Sequence, residues 1–219
     1  MVSARVKVWD LPTRLFHWTL TLLVGVSWWS GAVGGVAFNV HRWSGCAVLS
    51  LVLFRLAWGI AGGEHARFKS FLHGPRRVLA AAKELLSPSA LTTAGHNPLG
   101  GWMVMALLVA LAVQATTGLF ANDDIMNEGP LAAHVSAALS ERLSTVHEVN
   151  FWILMALIAL HVLAIVYHRL RKGERLVTAM LSGYRVLPPG TGAAYEVSLW
   201  RAVMLLALSA GIVALVVNL

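Results

Sequence analysis

Residues 147–168 read HEVNFWILMALIALHVLAIVYH, a stretch long and apolar enough to cross a membrane as one helix. A helix rises about 1.5 Å per residue, so about 20 apolar residues span the ~30 Å of hydrocarbon in a bilayer. His147 and His161 are 14 residues apart, close to four full turns, and therefore share one face of this helix. Their axial separation is about 21 Å. Because ionisable side chains are costly at such depths, we interpret both histidines as functional.

The whole chain has the composition of an integral membrane protein. Of its 219 residues, 58% are hydrophobic and 12% are charged, whereas soluble domains carry about 25% charged residues. The net charge of +7 comes from Lys and Arg at the ends of apolar runs, as membrane topology requires, which argues against a nucleic-acid partner. The single cysteine, Cys46, cannot form an internal disulfide, and we interpret it as a packing residue.

Five segments are long and apolar enough to span the bilayer, and backbone groups in lipid must be satisfied within each segment, so all five are predicted to be helices. They run over 11–37, 41–62, 99–121, 147–170 and 197–217. The predicted fold is an all-α integral membrane protein, a transmembrane helical bundle embedded in the lipid bilayer.

The connecting loops predict the orientation of the bundle. Lys and Arg dominate the N-terminus, the loop after span two and the segment after span four, while the opposite loops are net acidic. By the positive-inside rule, the N-terminus is cytoplasmic and the C-terminus lies outside. The stretch after Pro75 has a basic start and an apolar stripe, which favours a helix at the membrane surface.

Two further histidines lie at the right depths to pair with those of span four. His17 is near the cytoplasmic start of span one, and His41 is at the outer start of span two. Depth permits His17 with His161 inside and His41 with His147 outside, because crossed pairs would bridge most of the bilayer. Two imidazoles without carboxylate or thiolate suit porphyrin iron rather than zinc, which prefers four ligands. Since no C-x-x-C-H occurs, two haem groups would be bound non-covalently, each by two histidines.

Four other residues are candidates for contacts with the haem groups. Arg55 follows the span-two histidine by 14 residues, so it shares that face at the depth of the inner pair. A buried arginine needs a negative partner, and a haem propionate would supply one. Arg14, one turn before the span-one histidine, could serve similarly. Gly45 and Gly59 would let a flat macrocycle approach the backbone of span two.

The remaining histidines have simpler interpretations. A single histidine in a membrane helix often makes only a polar contact between helices, and the matched depths distinguish the two pairs from this case. We interpret His168 as an interfacial, solvated residue and His134 as a lining residue of the outer loop. His65, His73 and His96 are expected at the inner surface.

Short motifs run through nearly the whole chain. They are VWDLPTRLFHW at 8–18, HRWSG at 41–45, FRLAWG at 54–59, QATTGLFANDD at 114–124, GPLAAHVS at 129–136, the stretch at 147–168, and GERLVTAMLSGYR at 173–185. With these motifs the chain resembles the prokaryotic cytochrome b561 family, in the branch of cytochrome b subunits of nickel-dependent hydrogenases.

The resemblance implies a diheme b-type membrane cytochrome of a respiratory chain. The implied iron ligands are His17, His41, His147 and His161. Members of the family move electrons between the quinone pool and a partner outside the membrane, such as a hydrogenase subunit or a periplasmic c-type cytochrome. The expected location is the bacterial inner membrane, crossed several times, with the C-terminus in the periplasm.

The Pro/Gly-rich stretch over 187–194 sets the fifth span apart from the first four. We expect a four-helix haem-binding core over 1–187, and a Pro/Gly-rich linker with a fifth C-terminal span over 188–219. A quinone is expected to bind in an apolar cleft beside one haem. Gln114, Asn122 and Asp123 could supply polar contacts there, although packing is the simpler role for Gln114.

Two other functions compete with electron transfer to a fixed partner. The first is a superoxide or quinone oxidoreductase that acts without a partner, so enzymatic activity stays open. The net acidic outer loop argues against it, because it would repel an anion. The second is a proton-coupled transporter that uses the histidines as relays, which would be colourless.

Overall fold

Helices make up most of the structure, a computed structural model that describes residues 4–85, 95–123, 127–188, 195 and 197–219. The helices within these residues are α1 (Leu11–Val33), α2 (Phe38–Ala61), α3 (Phe68–Phe71), α4 (Pro75–Leu85), α5 (Pro98–Gly118), α6 (Ala137–Lys172), α7 (Leu176–Ser182) and α8 (Leu199–Val216). Two short strands, β1 (Ala4–Lys7) and β2 (Tyr184–Leu187), pair antiparallel.

Four segments of the described chain are long and apolar enough to cross a membrane. They are Gly35–Ala61, Pro98–Gly118, Ala137–Lys172 and Leu199–Val216. The predicted all-α membrane fold is thus confirmed, with α2, α5, α6 and α8 as its candidate spans. The short helix α4 begins at Pro75, where a surface helix was predicted.

The first helix, α1, is long enough to cross a membrane, but its mean hydropathy is lower than that of these four segments. Polar side chains, among them Arg14 and His17, interrupt its apolar run. It packs along α2 and ends at Val33, because Gly34 and Gly35 take positive φ angles of 66° and 55°, which glycine adopts without strain. The predicted end at residue 37 is therefore four residues too late, and its membrane crossing stays a prediction.

The helix α6 begins ten residues before the predicted span. Ser136 caps it by accepting a hydrogen bond from the backbone N–H of Leu139. With 36 residues the helix is about 54 Å long. It therefore projects beyond a bilayer, and His147 lies almost three turns inside it.

The long helices alternate in direction. α1 packs along α2 and α5 along α6, while α2 also packs against α5 and α8. Their connections gather most of the Lys and Arg at the end where α1, α5 and α8 begin, which we call the basic end. The other end, where α2 and α6 begin, is the acidic end and carries Glu128, Glu141 and Glu148.

At the basic end the two strands join the start of the chain to the segment after α7. Their register pairs Ala4 with Leu187 and Lys7 with Tyr184. The backbone N–H groups of Val8 and Trp9 then donate to the carbonyl of Gly183. This pairing closes residues 4–187 into one unit.

The first turn of α1 is tied to the last turn of α2. Asp10 caps α1, since its Oδ1 accepts from the backbone N–H of Thr13 at 2.8 Å. Its Oδ2 accepts from the indole Nε1–H of Trp58 at 3.1 Å, and Trp58 is fully buried. The two motifs WDLPT and FRLAWG thus meet through a single carboxylate.

Candidate functional site

The structure brings the four membrane-depth histidines together as two facing pairs. At the basic end, the ring centres of His17 on α1 and His161 on α6 are 6.5 Å apart. At the acidic end, those of His41 on α2 and His147 on α6 are 6.2 Å apart. The rings are tilted by 54° in the first pair and 81° in the second, so neither pair is stacked.

Both separations fit two imidazoles bound to opposite sides of one metal ion. A histidine nitrogen lies about 2 Å from a first-row metal, and the ring centre lies about 1 Å behind that nitrogen. Two such ligands therefore place their ring centres about 6 Å apart. Among the described residues, no three side chains of His, Cys, Asp or Glu come together as for a bare metal ion, so porphyrin iron fits this arrangement best.

At the acidic end, both histidines are oriented by a neighbouring helix. His41 donates its Nδ1–H to the backbone carbonyl of Ser27 on α1 at 2.8 Å, and His147 donates to that of Gln114 on α5 at 2.9 Å. Because a carbonyl oxygen can only accept, Nδ1 carries the proton on each ring and Nε2 keeps its lone pair. This is the tautomer that binds a metal through Nε2.

A glycine stands one turn beyond each of these carbonyls. A Cβ at Gly31 would lie 2.9 Å from the Nδ1 of His41, and a Cβ at Gly118 would lie 2.8 Å from the Cε1 of His147. Any side chain at either position would displace the ring. Each histidine is thus held by the same arrangement on the neighbouring helix, a carbonyl at position i and a glycine at i+4. This arrangement lies on α1 for His41 and on α5 for His147.

These two glycines were not among the predicted site residues. The sequence carries a signal for them, because Ser27 and Gly31 have the same spacing as Gln114 and Gly118. That repeat becomes meaningful only once α1 is known to pack on α2 and α5 on α6.

An apolar block separates the two pairs by depth. Its buried members are Val48, Val52, Ala110, Leu111 and Leu154. On α6, Leu154 lies midway between the two histidines, and on α2 the two valines lie between the acidic-end histidine and Arg55. The block excludes water between the two sites.

The predicted residue Arg55 is buried at the basic end. It is 2% exposed, and its Nη1 has no hydrogen-bond partner. The guanidinium lies over the ring of Phe68, 5.1 Å from its centre. A buried guanidinium that still has a free donor is the feature expected where an anionic ligand binds.

The other predicted arginine, Arg14, has partners within the protein. Its side chain donates to the backbone carbonyls of Met180, at 3.3 Å, and Leu181. It thereby caps the end of α7. The structure gives Arg14 this structural role, and contact with a propionate stays a prediction.

The two predicted glycines differ in their surroundings. A Cβ at Gly45 would meet nothing within 4 Å, so there is open space above it. A Cβ at Gly59 would overlap the ring of Phe68, so a protein side chain occupies that space. Gly59 therefore has a packing role here, whereas the approach of a macrocycle to either glycine stays a prediction.

Two histidines interpreted as surface or solvated residues have defined packing instead. The ring of His96 lies between those of Trp9 and Phe71, with centres 4.7 and 4.8 Å away, and its Nδ1 is buried without a partner. Burial, and then the positive charge of Arg55, lower the pKa of His96 to about 3. His168 is 9% exposed and contacts Glu174, with Nδ1 3.1 Å from Oε2.

The polar residues at the end of α5 are engaged within the protein. Asn150 of α6 donates its amide N–H groups to Gln114 Oε1 at 2.7 Å and to the Ala110 carbonyl at 2.9 Å. Asn122 donates to Glu128 Oε1 at 3.2 Å in the acidic-end loop. The simpler packing role of Gln114 is thus the one observed, and Asn150 is a site residue that sequence reasoning missed.

An all-α membrane bundle with two histidine pairs at the spacing of haem-iron ligands defines a membrane protein of the b-type cytochrome class. Comparison with known proteins agrees. The chain belongs to the prokaryotic cytochrome b561 family, whose profile matches residues 8–183. Haem b as cofactor and electron transfer in the membrane follow from this membership. The matched region ends before α8.

Two relatives carry a more specific description. The chain is 24% identical to a probable Ni/Fe-hydrogenase B-type cytochrome subunit of Azotobacter chroococcum mcd 1. It is also 24% identical to a protein with the same description from Azotobacter vinelandii. Each alignment covers 83% of this chain and 88% of the relative. No solved structure matches the chain significantly.

Proposed function

We propose that the chain is a diheme cytochrome that carries electrons across the membrane between the quinone pool and a redox partner outside. His17 and His161 would bind one haem b, and His41 and His147 the other. The observation that carries the proposal is the pair of ring-centre separations, 6.5 and 6.2 Å, at two depths. A bound haem b supplies a one-electron Fe(III)/Fe(II) couple, and two histidine ligands leave no open position for oxygen chemistry.

The residues around the acidic-end pair fix the orientation and the tautomer of both imidazole rings. The carbonyls of Ser27 and Gln114 hold the two rings in the tautomer that presents Nε2. Such hydrogen bonds also raise the basicity of a metal-bound imidazole. Because the rings are already oriented by α1 and α5, little rearrangement is needed when the iron changes its oxidation state.

The distance between the two sites suits a path across the bilayer. The histidines of α6 are separated by 14 residues, or about 21 Å along the helix axis. The macrocycles would shorten the gap from both sides, so no third cofactor is required. The apolar block between them keeps water and protons out of the path.

The orientation and partner are part of the proposal. The basic end would face the cytoplasm of a bacterium, which places the N-terminus inside, the C-terminus in the periplasm and the chain in the inner membrane. The Azotobacter relatives are described as hydrogenase subunits, which supports a hydrogenase partner, with a periplasmic c-type cytochrome as the alternative. The acidic end would favour a partner with a basic face.

The chain would divide in function near residue 187. The strand pairing that closes residues 4–187, and the family match that ends at residue 183, support a haem-binding core over 1–187. Residues 188–219 would then be a linker and an accessory span. A quinone would bind in lipid-facing apolar surface beside one haem rather than at Gln114, whose amide is already bonded to Asn150.

Electron flow through vesicles tests this function. Vesicles that enclose ferricyanide would receive the purified chain, and a reductant that does not cross lipid would be added outside. We expect loss of ferricyanide with the wild type and with His134→Ala, since His134 is exposed at the acidic end. We expect none with His17→Ala or His147→Ala, each of which should lose one haem. Retention of both haems in either variant would overturn the pairing.

A further inference from the structure

The buried side-chain atoms that lack a hydrogen-bond partner among the described residues all lie at the basic end. Four buried side-chain atoms have no hydrogen-bond partner there: Thr13 Oγ1, His17 Nδ1, Arg55 Nη1 and His96 Nδ1. They belong to the first turns of α1, the last turns of α2 and the segment before α5, all at the basic end. Buried polar groups are normally paired, so their concentration at the end that holds the pair of His17 and His161 indicates a polar ligand.

The nearby acidic side chain does not bond to the free donor of Arg55. Asp10 is the negative charge that acts on Arg55, but its hydrogen bonds go to other partners and none reaches Arg55 Nη1. Oδ1 accepts from the backbone N–H of Thr13, and Oδ2 accepts from Trp58. A guanidinium in a protein stays protonated, and among the residues that the structure describes the Nη1 donor of Arg55 has no acceptor.

His96 is held so that its free nitrogen stays in this region. Its ring packs between Trp9 and Phe71. The following residue, Asn97, caps α5 by accepting from the N–H of Gly100 at 2.6 Å, which fixes the backbone beside it. Arg55, His65 and both histidines of the basic-end pair act electrostatically on His96, which places its free nitrogen in the same positively charged region.

The chemistry of these groups selects an anion with two acceptor oxygens. An arginine N–H and an imidazole N–H are both donors, and a carboxylate can accept from both at once. A haem bound by the basic-end histidines brings two such carboxylates, the propionates on the edge of its macrocycle.

We propose that Arg55 and His96 together bind a propionate carboxylate of the haem held by His17 and His161. This assigns His96, a residue of the segment before α5, to the cofactor site. The inference rests on the proposed function, because it requires a haem at the basic-end pair. Neutralising a propionate favours the reduced iron, so both residues would also raise the reduction potential of that haem.

The test compares haem b with its dimethyl ester, which lacks both carboxylates. The background variant His147→Ala leaves only the basic-end site, and each haem is added to the full-length apoprotein in detergent. His96→Phe keeps an aromatic ring between Trp9 and Phe71 but removes the donor. His134→Phe is the matched control at an exposed position.

We expect the background protein to bind haem b at least about ten-fold more tightly than the ester, as one charge-assisted hydrogen bond allows. His96→Phe should weaken haem b binding by about ten-fold and leave ester binding unchanged, and Arg55→Lys should act in the same direction. The midpoint potential of the haem b bound to His96→Phe should be lower than that of the background protein. The control should match the background in every measurement.

Two outcomes would overturn the inference, and they differ from a failure of the function. If His96→Phe keeps the full preference for haem b over the ester, the carboxylate is bound elsewhere. If it weakens both haems equally, His96 supports only the packing. A wild-type chain that binds no haem would instead overturn the proposed function itself.

Discussion

Replacing Gly118 by alanine should remove the acidic-end haem and spare the other. A Cβ at this position would lie 2.8 Å from Cε1 and 3.2 Å from Nδ1 of the His147 ring. Ordinary carbon contacts begin near ~3.4 Å, so the ring would have to move by about 0.6 Å. It is held by a 2.9 Å hydrogen bond from Nδ1 to the Gln114 carbonyl, and this movement would lengthen or break that bond.

The magnitude follows from the loss of this hydrogen bond. Mutating a hydrogen-bond partner of a metal-bound histidine typically lowers metal affinity by about 10- to 100-fold, and we expect a loss in that range for the acidic-end haem. Gly118 is the last residue of α5, so alanine gains at most part of the ~1 kcal/mol that it would gain over glycine in a helix interior. Thermal unfolding of the apoprotein, measured beside its haem content, separates a loss of haem from a loss of folding.

The assay is haem content per chain together with the rate of haem transfer to an excess of apomyoglobin. The matched control is Gly25→Ala in α1, where a Cβ would meet nothing within 4 Å. The control should keep two haems with wild-type release rates, and Gly118→Ala should release one haem about 10- to 100-fold faster. Two haems with unchanged release in Gly118→Ala would refute the role of His147 as a ligand held against α5.

Three further substitutions test separate contacts. Asn150→Leu removes the donor to Gln114 Oε1, so we expect a loss of about 1–3 kcal/mol in stability, measured by thermal unfolding. Trp58→Phe removes the indole N–H that donates to Asp10 and should cost a similar amount, ~1–3 kcal/mol, in the same measurement. Gly45→Ala faces open space, so the apoprotein should melt as the wild type does, while the acidic-end haem should be released faster.

Each of these has a clear contrary result. Unchanged melting of Asn150→Leu would mean that its amide contributes nothing beyond its volume. An unchanged melting temperature of Trp58→Phe would remove the proposed link between the start of α1 and the end of α2. Normal haem release from Gly45→Ala would show that the macrocycle does not cover that turn of α2.

The depth of each histidine was predictable because helix geometry fixes it. A rise of about 1.5 Å and a turn of about 100° per residue determine both depth and face. From these values the sequence predicts that His17 lies opposite His161 and that His41 lies opposite His147. The structure places the rings in these same two pairs. No tertiary information was needed beyond the alternation of membrane helices.

The surroundings of the histidines were not predictable in the same way. Gly31 and Gly118 matter because neighbouring helices pack closely there, and that closeness depends on the helix crossings. His96 precedes α5, and its placement between Trp9 and Phe71 depends on how several connections fold together at the basic end. The sequence does not predict the hydrogen bonds of Arg14, because its acceptors are backbone carbonyls of α7, more than 160 residues away along the chain.

The most direct test of the diheme conduit is a reduced-minus-oxidised absorbance spectrum of the detergent-purified chain, with haem b quantified per chain. We expect two low-spin haem b groups per chain that differ in reduction potential. One haem per chain would mean that only one of the two histidine pairs binds iron, and a colourless protein would contradict the function proposed for both pairs.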